Sequence, residues 1–224
     1  MSKKIILIFL LCFVLGAKPP RSVWTENWQT TANWNRVGVN CATVTPGKLT
    51  MVCQSAGLTT QQSWSRRFPI EVESTVRAIA APGSSNNRYF AGITIFDNTS
   101  GDTVYGELAL TYQVPPFQSY ANDLAGSLVN EYGEVHREIV RGQTYRLKVV
   151  WLPSGRYEFY LDSVKIGSRP GRLDVDPVIF ILCVSVGENT PNDGSKAQCE
   201  FGPITVTGVL SNKVQRLYVP LVLD

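Results

Sequence analysis

Residues 145–168, "YRLKVVWLPSGRYEFYLDSVKIGS", contain the pattern that decides the fold class. Apolar and polar side chains alternate with a period of two in 145–151 and again in 157–161, which is typical of strands with one buried and one solvent-facing side. The turn sequences "PSG" and "DS" separate the three runs. The stretch therefore predicts a three-stranded antiparallel meander, with Trp151 and Tyr157 on the core side.

The rest of the chain continues this pattern, and no long helical periodicity occurs. In "IEVESTVRAI", residues 70–79, the alternation predicts an inward side formed by Ile70, Val72, Val76 and Ala78. Further strands are predicted at Val37–Thr43, Lys48–Gln54, Tyr89–Phe96, Val104–Gln113, Val178–Val186 and Ala197–Thr207. The segment 115–133 has no clear period and is predicted to be a long loop. Many short strands in one chain predict an all-β fold, a two-sheet antiparallel β-sandwich or jelly roll.

The first residues, "MSKKIILIFLLCFVLGA", have the features of a secretory signal peptide over 1–17: lysines, a short apolar run and small residues at its end. The run is too short to span a bilayer comfortably, although a retained anchor is the alternative. We therefore expect no membrane span after signal removal and a secreted or cell-surface location. Residues 18–208 are predicted to form the sandwich domain, and 209–224 a tail that could add an edge strand or an anchoring segment.

Outside the leader the chain has four cysteines, Cys41, Cys53, Cys183 and Cys199, an even number that suits an oxidising compartment. Four cysteines allow three pairings. The first two lie symmetrically about a Pro-Gly turn, as cross-strand residues of a hairpin would, and the last two flank "NTPNDG" in the same way. The spacing favours Cys41 with Cys53 and Cys183 with Cys199, each closing a loop worth about 3 kcal/mol.

The charge balance gives little attraction to polyanions. The formal net charge is +3, and it falls to about +1 without the leader, which carries two lysines and no acidic residue. We therefore expect no nucleic-acid partner and no binding to an anionic membrane surface.

The order of the elements resembles a known superfamily. An aromatic segment "VWTENW", then "TPGKLTM", "FAGITIFD", the meander and the closing strand "CEFGPITVTG" follow one another as in the concanavalin A-like lectin/glucanase superfamily. That superfamily includes laminin-G-like modules, legume-type lectins and the bacterial β-glucanases. The resemblance spans Trp24–Gly208 and is one of pattern rather than of a diagnostic motif. It implies a jelly-roll sandwich with a glycan or polysaccharide as the expected partner.

The predicted strand "VYGELALTYQ", residues 104–113, corresponds to the strand that carries the catalytic residues in the β-glucanases that the chain resembles. In the β-glucanases that the chain resembles, this strand carries Glu-x-Asp-x-Glu, or the same with one extra residue. Here the pattern matches only at Glu107: Ala109 replaces the Asp, and Thr111 or Tyr112 the second Glu. Retaining hydrolysis needs two carboxyl groups about 5 to 5.5 Å apart, and a single carboxylate cannot carry out that double displacement. The sequence therefore predicts no catalytic residue, and Glu107 is the candidate if the protein is an enzyme.

The side of this strand that faces away from the core is the predicted binding surface. Sugars need aromatic rings for the apolar faces of the pyranose, with amides and carboxylates for the hydroxyls. Tyr105, Glu107 and Gln113 share that side by parity, and Arg88 and Phe90 precede them on the neighbouring strand. These five residues form the predicted carbohydrate-binding site.

Other chemistries find little support. No Gly-x-Ser-x-Gly elbow occurs, and the single histidine, His136, lies in "EVHREI", where it is predicted to be a surface strand residue. The turn "FDNTSGD" contains Asp97, Asn98 and Asp102, oxygen donors of the kind that calcium prefers, but the same residues are common in tight turns. No other cofactor is expected.

The sequence thus predicts a secreted, non-catalytic, lectin-like β-sandwich that binds carbohydrate. The first alternative is a divergent glycoside hydrolase or polysaccharide lyase acting on β-glucan-type polysaccharide through Glu107. The second alternative is a structural or adhesive cell-surface protein, whose apolar tail would mediate assembly or anchoring.

Overall fold

The protein consists of β-strands throughout the part of the chain that the structure, a computed structural model, describes. That part comprises residues 20–38, 40–80, 89–97, 104–112, 117–123, 137–139, 142–185 and 196–211. It contains fifteen strands and no helix. The strands are β1 (Ser22–Glu26), β2 (Trp34–Gly38), β3 (Ala42–Thr45), β4 (Lys48–Cys53), β5 (Ser55–Thr60), β6 (Ile70–Ala80), β7 (Tyr89–Asp97), β8 (Val104–Tyr112), β9 (Phe117–Asp123), β10 (Arg137–Ile139), β11 (Tyr145–Leu152), β12 (Arg156–Leu161), β13 (Val164–Pro170), β14 (Val178–Ser185) and β15 (Ala197–Gly208).

The strands form two antiparallel sheets, which confirms the predicted sandwich. The eight-stranded sheet has the order β13-β12-β11-β6-β15-β4-β3, and β1 pairs with the end of β15. The seven-stranded sheet has the order β10-β9-β8-β7-β14-β5-β2. Strands far apart in sequence are neighbours in both sheets, as in jelly rolls, which alternate strands between two layers.

The core lies between the sheets and is built by the alternation seen in the sequence. In β6 the predicted inward residues are buried. Ser74 is the polar exception on that side, and its hydroxyl donates to the carbonyl oxygen of Gly202 at 3.1 Å. Trp151 and Tyr157 are buried as predicted, with ring centroids 4.9 Å apart. Burial of each large apolar side chain contributes about 1.5 to 3 kcal/mol.

The predicted meander is confirmed as β11, β12 and β13. Its second turn consists of Asp162 and Ser163, both with positive φ (50° and 68°). Two consecutive residues in that region form the tight turn that matches the twist of a hairpin. The Asp162 carboxylate also accepts a hydrogen bond from the Arg146 amide at 2.9 Å, which holds the turn against β11.

Two strand predictions are wrong in an informative way. The predicted strand Val37–Thr43 is two strands, because β2 belongs to the seven-stranded sheet and β3 to the eight-stranded sheet. Gly38 (φ +80°) is the last residue of β2, before the chain crosses between the layers. The predicted loop 115–133 contains β9, which pairs with β8 and β10. The sequence of β9 is mostly polar, so its strand character comes from pairing rather than from an apolar period.

Both favoured disulfides are present, but one was predicted for the wrong structural reason. Cys41 and Cys53 join β4 to the residue before β3, within one hairpin. Cys183 lies in β14 and Cys199 in β15, so their disulfide connects the two sheets rather than two arms of a hairpin.

Four tryptophans from the first third of the chain form a cluster. Trp24 of β1 packs against Trp34 and Trp64, with ring centroids 5.9 and 6.0 Å apart. Trp28 stacks on Trp34 at 5.2 Å. Within this cluster lies the carboxylate of Glu26, only 5% exposed.

The signal peptide and most of the tail lie outside the described residues and stay predictions. Residues 209–211 run beside 63–65, where Ser65 donates to Val209 and Ser211 to Ser63 through backbone hydrogen bonds of 2.7 and 2.9 Å. In the described part of the chain, no helix is long and apolar enough to cross a membrane.

Candidate functional site

The outer face of the eight-stranded sheet is charged, and several of its charges form ion pairs. Glu200 lies between Lys48 and Arg77, at 3.6 and 3.4 Å. Similar pairs join β11 to β6 and β13 to β12. Exposed pairs of this kind contribute about 0 to 1 kcal/mol each. They indicate a solvated face with its charge already balanced.

The burial pattern of β14 shows which residues lie on the outer face of the seven-stranded sheet. Ile179, Ile181 and Cys183 are fully buried in the core between the sheets. Since side chains alternate along a strand, Phe180 and Leu182 belong to the outer face, where they are partly exposed. The register of the neighbouring strands then assigns every position of this sheet to one face or the other.

One row of outer-face positions crosses the sheet at right angles to the strands. Its members are paired directly in the registers of β9, β8, β7, β14, β5 and β2. In spatial order they are Asn122, Glu107, Thr94, Phe180, Thr59 and Asn35. We call these six residues the central row. It combines one aromatic residue, one carboxylate and four neutral polar residues.

The ring of Phe180 packs closely against β5 because Gly57 leaves room for it. A Cβ atom at Gly57 would come within 2.1 Å of Cε2 of Phe180. A second ring, Phe96, lies 5.6 Å away between centroids, tilted by 44°. Together Phe96 and Phe180 form a partly exposed aromatic pair, which we call the aromatic platform.

Two hydroxyls of the central row flank the aromatic platform. Thr59 and Thr94 are each 1% exposed, and their Oγ1 atoms have no hydrogen-bond partner among the described residues. A buried hydroxyl left in this state costs about 1 to 3 kcal/mol. Buried hydroxyls without a hydrogen-bond partner are uncommon in folded proteins, so each of them calls for a structural or functional explanation.

The structure places three predicted site residues at outer-face register positions. Glu107 pairs with Thr94 on one side and Asn122 on the other. Tyr105 pairs with Phe96, so it continues the row that contains Phe96, next to the central row.

Phe90 pairs with Thr111. This pair lies on the same face, two rows along the strands from the central row. The other two predicted residues, Arg88 and Gln113, lie outside the described residues. Whether this set binds carbohydrate stays a prediction.

Carboxylates are sparse around Glu107. Its neighbours on the same face are Tyr105 and Ala109 along β8, and Thr94 and Asn122 across the sheet. Positions directly opposite one another have Cβ atoms about 4.5 to 5.5 Å apart. None of these four neighbouring strand positions carries an acid that could act with Glu107 at the spacing of a retaining glycosidase.

Sequence reasoning missed Phe180 and Thr59. Phe180 lies in "VIFILCVS", an almost continuous apolar run whose inner and outer sides cannot be told apart by polarity. Thr59 lies in β5, "SAGLTT", which carries no strong strand signal. The glycine in that strand was the available signal, since an isolated strand glycine often marks a close approach.

The calcium candidate Asp97 is a buried carboxylate at the end of β7 on the core side. One of its oxygens accepts hydrogen bonds from the backbone amides of Asp174 and Val175, the latter at 2.9 Å. Burial raises the pKa of Asp97, and these amides partly offset that shift. Asn98 and Asp102 lie outside the described residues. Within the described ranges, no group of three or more His, Cys, Asp or Glu side chains could hold a metal ion.

Comparisons with known proteins give a likeness in structure only. No protein-family model matches the sequence, and no curated protein matches it. Among solved structures, the carbohydrate recognition domain of Emp47p superposes with a TM-score of 0.59 at 11% identity, over 84% of this chain and 95% of that one. The Bacillus licheniformis β-glucanase gives a TM-score of 0.55 at 10% identity, over 82% and 97%.

A third solved structure is the κ-carrageenase of Pseudoalteromonas carrageenovora in complex with an oligotetrasaccharide of κ-carrageenan. It superposes with a TM-score of 0.56 at 10% identity, over 88% of this chain and 98% of that one. The chain has the concanavalin A-like fold. This confirms the fold that the sequence pattern implied. Identities this low show the fold alone, and the function of this chain has to be argued from its site.

Proposed function

We propose that the protein is a non-catalytic carbohydrate-binding protein whose binding surface is the outer face of the seven-stranded sheet. The observation that carries the proposal is the central row beside the aromatic platform. A partly exposed aromatic pair beside amide and carboxylate positions of the same face matches the two kinds of surface that a pyranose presents.

The aromatic platform supplies the apolar part of this recognition. Phe180 packs against Gly57 and stays partly exposed on the outer face, where its ring can contact the C–H face of a sugar ring. Fixing one aromatic ring before binding also reduces the ordering cost of the complex. Two of the solved structures with the same fold are the carbohydrate recognition domain of Emp47p and a κ-carrageenase in complex with an oligosaccharide, which supports a glycan as the ligand class.

The sparse carboxylates support binding without catalysis. Double displacement requires one carboxyl group to attack and another to transfer a proton. Glu107 has no acidic neighbour at the strand positions around it. A single carboxylate can still accept hydrogen bonds from two hydroxyls of a sugar.

A divergent glycoside hydrolase or polysaccharide lyase is the second candidate, because Glu107 occupies an outer-face position and the Bacillus licheniformis β-glucanase shares the fold. A reducing-sugar assay over a panel of β-glucans, with an absorbance assay for lyase products, separates the two. We expect no turnover. Turnover that is abolished by Glu107→Gln would contradict the non-catalytic proposal.

The binding proposal is tested on a polysaccharide panel with Phe180→Ala and Tyr105→Ala. The matched control is Tyr160→Ala, which removes a half-buried aromatic ring from the outer face of the other sheet. We expect each of the first two changes to weaken binding by roughly tenfold, the value of one stacked ring, and the control to have no effect. Thermal unfolding of each variant checks that it is folded.

We further propose a secreted or cell-surface location, which two disulfides in the described part of the chain support. A structural or adhesive role remains the third candidate. Absence of binding to every polysaccharide, together with self-association that depends on residues 215–224, would favour it over glycan binding.

A further inference from the structure

We infer that the outer face of the seven-stranded sheet selects uncharged glycans over anionic ones. This inference rests on the proposed function and concerns the class of polysaccharide that the same face accepts. It follows from which residues occupy the outer-face positions of all seven strands.

The described strands place no lysine or arginine at an outer-face position of this sheet. Parity and register assign to this face the odd-numbered residues of β2, β5 and β8 and the even-numbered residues of β7, β9, β10 and β14. The charged members are both acidic, Glu107 and Glu138. The basic residues Arg36 and Arg137 of these strands fall on inner-face positions by register, and Arg36, on the edge strand β2, is exposed to solvent.

The opposite sheet shows that this is a property of one face. Its outer face carries lysines and arginines on β4, β6, β11 and β13. Each of them is already paired with a carboxylate there. Cations are therefore concentrated on the face without the aromatic platform.

Anionic polysaccharides require cations, which the described outer-face positions of the seven-stranded sheet do not carry. Sulfate and uronate groups are bound by arginine or lysine through charge-assisted hydrogen bonds. A sugar carboxylate about 4 Å from Glu107 would instead meet a like charge, a penalty of about fivefold even in bulk water and more beside a protein surface.

Uncharged glycans meet a complementary set of groups. Hydroxyls donate to the carboxylate of an acid such as Glu107, and the amides of Asn35 and Asn122 serve as both donors and acceptors. Since no ion pair forms, the affinity should change little with ionic strength.

The experiment uses the full chain and matched ligands. Neutral polysaccharides, including hydroxyethylcellulose and a soluble β-glucan, are each compared with their own carboxymethylated derivatives by affinity electrophoresis and calorimetry at two salt concentrations. We expect the neutral form to bind at least about tenfold more tightly than the charged form at low salt. We also expect its affinity to be unchanged by added salt.

Two variants locate the selectivity. Ala109→Lys adds a cation beside Glu107 on β8 and should reduce the discrimination against the carboxymethylated ligand. Thr43→Lys adds one on the exposed edge strand β3 of the other sheet and should leave it unchanged. If Ala109→Lys does not fold, Glu107→Gln replaces it, with the same expected direction.

The outcomes separate the two levels of the argument. Equal or tighter binding of the anionic derivatives would overturn the charge selectivity and leave glycan binding intact. Unchanged discrimination in a folded Ala109→Lys protein would overturn the assignment of the selectivity to this face. A failure of every neutral and every anionic polysaccharide to bind would overturn the proposed function itself.

Discussion

Glu26 is a buried carboxylate that is held entirely by hydrogen bonds. Its Oε1 accepts from the Trp28 amide at 2.9 Å, and its Oε2 accepts from Nε1 of Trp34 at 3.2 Å and from the Asn33 side chain at 3.4 Å. Trp28 itself has a φ of 52°, a strained value for a bulky residue. The carboxylate thus fixes the turn that brings the tryptophans together.

We expect Glu26→Gln to lower the free energy of unfolding by about 1 to 3 kcal/mol, because an amide turns one acceptor into a donor facing another donor. Urea unfolding followed by tryptophan fluorescence measures it. Glu73→Gln, which removes an exposed ion pair with Arg146, is the control and should cost less than about 1 kcal/mol. Equal costs would mean that Glu26 has no special structural role.

Asp97 and Glu158 should give pH dependences of opposite sign. Burial raises the pKa of Asp97 above its ordinary 3.8, so its contribution to stability is full below that value and is lost as the pH rises through the folded-state pKa. Hydrogen bonds from Lys165 and Tyr160 lower the pKa of Glu158 from 4.5. Its contribution is present above 4.5 and is lost as the pH falls through the folded-state pKa.

The test compares wild type with Asp97→Asn and with Glu158→Gln by urea unfolding between about pH 3 and pH 7. The stability of wild type relative to Asp97→Asn should fall as the pH rises, whereas its stability relative to Glu158→Gln should rise. Asparagine keeps the oxygen that accepts from Val175, so the first variant changes mainly the charge. Differences of the same sign would contradict this assignment.

At the scale of elements, the two disulfides have different structural roles. The Cys41–Cys53 bond closes a hairpin that backbone hydrogen bonds already hold. The Cys183–Cys199 bond joins β14 to β15 across the core, where both residues are fully buried. The second bond is therefore a covalent link between the two layers.

Replacing each cysteine pair by alanine tests this difference. The loops are similar, with separations of 12 and 16 residues, so chain entropy alone predicts a loss of about 3 kcal/mol for either pair. We expect about 3 kcal/mol for the hairpin pair and about 4 to 5 kcal/mol for the intersheet pair, because the latter also leaves a void in the core. Thermal and urea unfolding would rank them. The reverse ranking would show that the hairpin bond matters more.

At the scale of the whole molecule, the amino-terminal strand closes the sandwich. Strand β1 pairs with the last five residues of β15, from Ser22 opposite Gly208 to Glu26 opposite Ile204. It also brings Trp24 onto Trp34 and Trp64. Residues almost as far apart as the domain allows therefore stabilise each other.

A chain that starts at residue 28 should consequently lose more than about 3 kcal/mol of stability, a large part of the 5 to 15 kcal/mol typical of a domain. A chain that starts at residue 18, after the predicted signal peptide, is the matched control. Near-ultraviolet circular dichroism and urea unfolding distinguish them. A fully stable shorter chain would show that β1 is dispensable.

The sequence by itself determined the strands whose side chains alternate, and with them the all-β class. In β6 and in the meander, each side chain faces either the core or the solvent, so the alternation of apolar and polar residues indicates directly which side of the strand is buried. The same parity put Tyr105 and Glu107 on one side of their strand, in agreement with the register. The cysteine spacing also favoured the pairing that is observed.

Only the tertiary structure decided which strands share a sheet and which residues share a row. Phe180 lies between Thr94 and Thr59 because β14 is inserted between β7 and β5, strands that are far from it in sequence. The polar strand β9 is likewise held by its neighbours, and the disulfide of Cys183 crosses the core instead of closing a hairpin. Alternation along one strand is a local property that sequence records, whereas the order of strands depends on long-range pairing that no short pattern encodes.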